Sequence, residues 1–176
     1  GLSEDAPAVQ KWLTKLHEKG YAGMSWPVEY GGKGETAIDD WIFSEEMSYF
    51  DVPSVASGMY GKVLAQFGSD EQKTAFIPGI LAGSVRLAQG WTEPRGGTDL
   101  AGVQTRATRE GDEYVINGRK DYITSILPPD IVLCLAVTNP ESPPARRFSL
   151  IAVDTNTPGV LIKPESLLVP GREYKF

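Results

Sequence analysis

The stretch from Gly90 to Gly102, "GWTEPRGGTDLAG", concentrates the residue types that could hold a ligand. Paired glycines beside a Thr-Asp suit a loop that cradles phosphates, and they equally suit a tight turn. The usual catalytic constellations are not legible elsewhere. His17 is the sole histidine, on the solvent side of an expected helix and without partners for a triad or a metal. Asp39-Asp40 and Glu45-Glu46 are adjacent acidic pairs. Neighbours in sequence point to different faces of a helix, so these read as solvated surface rather than paired carboxylates. The single cysteine, Cys134, lies inside the apolar run "DIVLCLAV". It reads as a buried core thiol, excludes an internal disulfide and fits a reducing compartment. No metal-ligand spacing, nucleophile elbow or P-loop pattern is present.

The elements around the loop restrict what it can be. An expected strand, "RLAQGWT", enters it and another, "VQTRATRE", leaves it. A strand-to-strand connection excludes the dinucleotide fingerprint, which needs a helix N-terminus beneath the phosphates. On its own the loop reads as a structural turn. Gly96 and Gly97 would supply unusual φ, and Asp99 would bond the local backbone.

The periodicity changes along the chain. In the first half Val9, Trp12, Leu13 and Leu16 share one helical face, and Gly20 is a stop. "GMSWPVEYGGKGET" marks a loop. A second helix is expected from Thr36 to Phe50, with Ile38, Trp41, Ile42 and Tyr49 on its apolar side. A third is expected from Ser54 to Phe67. Ser69-Asp70-Glu71-Gln72 is a capping box that opens a fourth, which Pro78 should kink or restart before Gly83 closes it. After Gly83, short β-branched runs alternate with turn residues: "SVRLAQGWT", "GVQTRATRE", "DEYVINGRKDYIT", "DIVLCLAVT", "RFSLIAVD" and "GVLIKP". Gly111-Asp112 and Asn117-Gly118 are hairpin signals. The expected fold class is α+β: a partial, multi-helical N-terminal domain over 1–84, then an antiparallel β-barrel or sandwich middle domain over 85–176.

Apolar residues make up 41% and charged residues 23% of the 176, ordinary values for a globular protein. The net charge of −6 and the lack of a basic block argue against nucleic acid. No apolar run is long enough for a membrane span, and no basic-then-apolar leader opens the sequence. The chain stops at Phe176 as "REYKF" begins another strand, which leads us to expect a fragment.

Set beside "INGRKDYIT", the loop is more specific than a turn. Thr92-Glu93-Pro94, Gly97-Thr98-Asp99, Gly111-Asp112-Glu113-Tyr114, Asn117-Gly118-Arg119-Lys120 and Tyr122-Ile123-Thr124 occur in one order. So do "SWPVEYGGKG", "FGSDEQKTAFIPGILAG" and "TPGVLIKP". Together they resemble the acyl-CoA dehydrogenase family over nearly the whole chain.

That resemblance implies a helical N-terminal domain, a β middle domain and a helical C-terminal domain. FAD would lie between the last two, often with help from a second subunit. Gln89, Gly90, Trp91 and Thr92 would line the flavin, with main-chain groups near Trp91 and the Thr92 hydroxyl on its pyrimidine edge. Tyr122 would lie beside the isoalloxazine, and Ile123 and Thr124 would complete that wall, with Thr124 near N5. Gly97 and Thr98 would contact the cofactor, and Thr98 also the acyl-CoA. Arg95 departs from the family's usual residue; a phosphate contact and plain solvent exposure both stay open. So does "SILPP", after Thr124, which would alter the wall of the site. The family's catalytic base lies in the C-terminal domain, so no catalytic residue is assigned here, and Glu45, Glu46 and Glu93 are not candidates. The implied reaction is FAD-dependent α,β-dehydrogenation of an acyl-CoA thioester, with electrons passing to an electron-transferring flavoprotein. This chain alone is expected to be inactive. The implied setting is a homo- or hetero-oligomer in the cytoplasm, or in the mitochondrial matrix of a eukaryote. A non-catalytic subunit of a heteromeric enzyme, or a flavin oxidase or monooxygenase, are the alternatives.

Overall fold

The computed structural model describes residues 6–50, 52, 58–123 and 128–163. They fall into two compact units that divide between Leu87 and Ala88.

The first unit is helical. Helix α1 (Ala6–Glu18) buries Val9, Leu13 and Leu16, with Trp12 half-buried, as the three- and four-residue spacing predicts. It stops where Gly20 turns to φ 72°, while the Tyr21 amide reaches back to the Leu16 carbonyl at 2.8 Å. The glycine-rich loop that follows wraps Trp26, whose backbone lies against Gly32 and whose indole lies against Gly61 so closely that neither glycine could carry a Cβ.

Helix α2 (Ala37–Ser48) opens on Thr36, which exchanges hydrogen bonds with Asp39 in a capping box. Its expected apolar side is not packed: Ile38, Trp41, Ile42 and Tyr49 are all exposed, Trp41 by 64%. Phe43 is the aromatic that packs, stacking parallel on Tyr21 with ring centroids 4.8 Å apart. Helix α3 (Gly58–Phe67) begins later than expected; residues 54–57 of that segment lie outside the described residues.

Helix α4 (Asp70–Leu81) starts at the Ser69–Gln72 capping box and buries Ile77, Ile80 and Leu81. Pro78 neither breaks nor restarts it: the Ala82 amide still donates to the Pro78 carbonyl at 3.0 Å. Pro78 and Thr74 are both exposed, so the carbonyl that loses its partner can face water.

The second unit is built on strands β1 (Leu87–Gly90), β2 (Arg106–Glu110), β3 (Glu113–Asn117), β4 (Ile131–Val137) and β5 (Phe148–Asp154). β2 and β3 form a hairpin through Gly111 at φ 66°, and β4 pairs antiparallel with β5 over its full length. The sheet order is β1-β4-β2-β3, with β5 also on β4. This corrects the antiparallel barrel: the sheet is open and mixed, because β2 runs parallel to β4 at Arg106 and Val137. After β3 the chain crosses back instead of forming another hairpin, so β4 arrives beside β2 in the same direction. The Val137 amide donates to the Thr105 carbonyl at 2.8 Å to join them.

Asn117-Gly118 is accordingly not a hairpin turn. Gly118 is needed for close approach, since a Cβ there would overlap the Thr105 side chain. The expected strand "GVLIKP" is not formed over residues 159–163, and its last residue lies outside the described ones. Cys134 is buried with Ala136, Val103 and Ala107 in the core of the unit.

Candidate functional site

The loop after β1 closes on itself immediately. The Glu93 amide donates to the Gly96 carbonyl at 2.9 Å and the Gly96 amide returns to Glu93 at 3.0 Å. Pro94 and Arg95 form the exposed tip. Neither Gly96 nor Gly97 has the left-handed φ expected of it. Gly97 is required for another reason: a Cβ would lie 2.8 Å from the Thr92 methyl, so the loop folds back onto Thr92. The Asp99 side chain accepts from the Ala101 amide at 3.0 Å and caps the short 3-10 turn Leu100–Gly102, as expected.

Beneath the loop lies a buried ion pair that the sequence did not announce. Lys120 Nζ is 2.8 Å from Glu93 Oε1 and donates to the Trp91 carbonyl at 3.2 Å. Glu93 also accepts from the backbone amides of Gln104 and Thr105, each at 2.8 Å. Glu93 is only 8% exposed, and the Lys120 side chain 7%. Burial pushes the Glu93 carboxyl up, but Lys120 and the donors from residues 104 and 105 outweigh it and hold the pKa at about 2. Glu93 is therefore a fixed carboxylate, unable to take up a proton at neutral pH. Cys134 lies near the same charges, and burial, the largest influence, pushes its thiol up. It is a neutral core thiol.

Above the pair, hydrogen-bond capacity is left open. The indole Nε1 of Trp91 is buried without a partner. Among the described residues the Thr92 amide and hydroxyl also bond to nothing. The carbonyl of Thr92, by contrast, accepts from the Asp121 amide at 2.9 Å, which draws the 118–123 segment against this strand end. One residue further, Tyr122 has φ 56° and is 67% exposed. It is the one non-glycine residue in the left-handed region among those described, a conformation that costs an L-residue roughly 1–2 kcal/mol.

The structure thus brings together Trp91, Thr92, Gly97 and the segment leading to Tyr122. Gln89 lies half-buried on β1, where a Cβ on the adjacent Gly90 would overlap Val132 of β4. Thr98 is exposed on the loop, and Ile123 is half-buried beside Tyr122. Thr124 and the following "SIL" lie outside the described residues. Lys120 and the role of Glu93 were missed. A lysine in a short polar run normally faces water, and no local pattern separates a buried one from a solvated one. Among the described residues no acidic, histidine or cysteine cluster could hold a metal, and no helix is long and apolar enough to cross a membrane.

The chain matches two family models: "Acyl-CoA dehydrogenase, N-terminal domain" over residues 3–84, and "Acyl-CoA dehydrogenase, middle domain" over residues 88–174. It is 38% identical over 155 residues to acyl-CoA dehydrogenase FadE29 of Mycobacterium tuberculosis, covering 87% of this chain and 40% of that one. Among solved structures, the Tcur3481-Tcur3483 steroid ACAD superposes with a TM-score of 0.85 at 34% identity, over 90% of this chain and 42% of that one. The ChsE4-ChsE5 complex of Mycobacterium tuberculosis gives 0.77 at 35% identity, over 84% of this chain and 39% of the matched one. The chain therefore spans about two fifths of the length of the relatives it matches.

Proposed function

Because the chain belongs to the acyl-CoA dehydrogenase family, we propose that its β1 strand end forms one wall of an FAD site in an enzyme that desaturates an acyl-CoA thioester between Cα and Cβ. The observation that carries this is the set of open donors at Trp91 and Thr92, gathered where the 118–123 segment closes on them. The pyrimidine edge of a flavin presents carbonyl oxygens and a ring nitrogen, which accept from donors of this kind. The residues fit the group.

FAD, when bound, supplies the hydride acceptor. The chain's residues bind and orient. Main-chain groups near Trp91, among them the Thr92 amide, and the Thr92 hydroxyl would hold the polar edge of the ring system. Donors there also favour the negative charge that reduction brings. Gln89, Gly97, Ile123 and Thr124 complete the lining, the exposed Tyr122 ring packs beside the flavin, and Thr98 faces the acyl-CoA. Glu93 cannot be the base that removes the α-proton, since its carboxylate is committed to Lys120 and two amides. The base is outside the residues described. Electrons leave through an electron-transferring flavoprotein.

A paired arrangement has one specific support: a similar solved structure is the complex of ChsE4 and ChsE5. Under that reading this chain lends its half-site to a partner subunit.

Anaerobic addition of acyl-CoA to the intact, purified protein tests the activity. A dehydrogenase bleaches the flavin absorbance band. A flavin that stays oxidised across acyl-CoA chain lengths, with and without a co-purified partner, would rule the reaction out.

A further inference from the structure

A buried ion pair such as Lys120–Glu93 is a poor way to obtain cohesion alone. Replacing such a pair by apolar residues of similar volume is often neutral or stabilising. The geometry here is also selective. Of the backbone carbonyls near the loop, Lys120 Nζ takes the one of Trp91, at 3.2 Å, while Glu93 Oε1 holds the ammonium in place at 2.8 Å. Glu93 is anchored in turn by the amides of Gln104 and Thr105.

We propose that the Lys120–Glu93 pair is a positioning device for the cofactor: it fixes the peptide between Trp91 and Thr92 so that the Thr92 N–H faces the flavin. This rests on the flavin reading given above. The peptide is planar and trans, so its C=O and N–H point in opposite directions. With the Trp91 carbonyl held on the buried ammonium, the Thr92 N–H is turned away from the core. The next peptide is tied as well, because the Thr92 carbonyl accepts from the Asp121 amide at 2.9 Å. Both peptides flanking Thr92 are thus fixed, which sets the direction of its Cα–Cβ bond and of the hydroxyl it carries. A cation on the Trp91 carbonyl also polarises that peptide, which makes the Thr92 N–H a stronger donor to an electron-rich ring. Lys120 and Glu93 are positioning residues, acting through Trp91 and Thr92.

The intact protein carrying Lys120→Met together with Glu93→Gln removes both charges and leaves no lone buried ion. Flavin titration and the two-electron midpoint potential are the readouts, with circular dichroism and thermal melting of the flavin-free protein as the fold control. The double variant is expected to fold, to bind FAD about five- to tenfold more weakly, and to have a more negative midpoint potential than the wild type. A folded double variant with wild-type affinity and potential would overturn the proposal and leave the pair as a structural tie. If the double variant does not fold, Lys120→Arg decides. It keeps the cation, but its planar fork cannot reproduce the ammonium's contact with the Trp91 carbonyl. A lowered potential is then expected, and an unchanged one overturns the proposal. Wild-type protein that takes up no FAD, alone or with a partner, overturns the flavin reading and this inference with it. Wild-type protein that binds FAD, with variants that match it, overturns only the role of the pair.

Discussion

Three hydrogen bonds meet on the carboxylate of Glu93, and they make its charge state a property of the fold. Its folded pKa, about 2, lies below the ordinary 4.5, because the ammonium and the amides outweigh burial. A group depressed in this way adds stability above its unfolded pKa and loses it as the pH falls through the folded one. The stability contributed by Glu93 should therefore decline as the pH drops from 4.5 towards 2, and a Glu93→Gln variant should show a flatter acid limb in urea titrations across that window. Tyr122 makes the opposite kind of prediction. Relief of its left-handed φ, worth about 1–2 kcal/mol, is partly cancelled by the roughly 0.5–1 kcal/mol of entropy a glycine loses on folding. Tyr122→Gly should thus keep or slightly raise the melting temperature while weakening FAD binding. A clear loss of stability would mean that the ring packs against the protein rather than a cofactor. The family resemblance assigned Tyr122 to the flavin wall through its motif, but φ is invisible in a sequence, as is the burial of Lys120. Arg95, undecided in the sequence, stands exposed at the loop tip.

At the scale of elements, glycines that look alike in sequence do different work. Gly111 turns the β2–β3 hairpin at positive φ with open space where a Cβ would go. Gly118 has an ordinary φ and presses on Thr105. Gly118→Ala should cost about 1–3 kcal/mol by overpacking, and Thr105→Ala should recover part of it. In a double-mutant cycle measured by denaturant unfolding, additive effects would contradict this contact. Dipeptide signals predicted turns at both places because they report chain punctuation, not what a neighbouring strand leaves room for. The capping box at Ser69 was legible because its partner is three residues away in the chain, whereas the Thr36–Asp39 box was not read from the sequence. The apolar side of α2 was misread for the converse reason. Periodicity identifies a face, and only tertiary contacts say whether that face is packed. Among the described residues it is exposed.

For the whole molecule, the class was legible and the topology was not. Helical spacing followed by β-branched runs indicated an α+β chain, and the ordered motifs indicated the family that the matches over residues 3–84 and 88–174 establish. The open, mixed sheet depends on the crossing between β3 and β4, which no local residue pattern encodes. The chain spans about two fifths of its relatives' length. The central claim is narrower: the strand end at Trp91 and Thr92 holds a flavin. The most direct test is the FAD content per chain of the purified intact protein, with any partner that co-purifies, for the wild type and for Thr92→Val, which removes the hydroxyl but keeps the side-chain shape. We predict stoichiometric FAD in the wild type and a markedly lower FAD content in a folded Thr92→Val. Wild-type protein without FAD, or a Thr92→Val variant with full occupancy and unchanged affinity, would contradict the account.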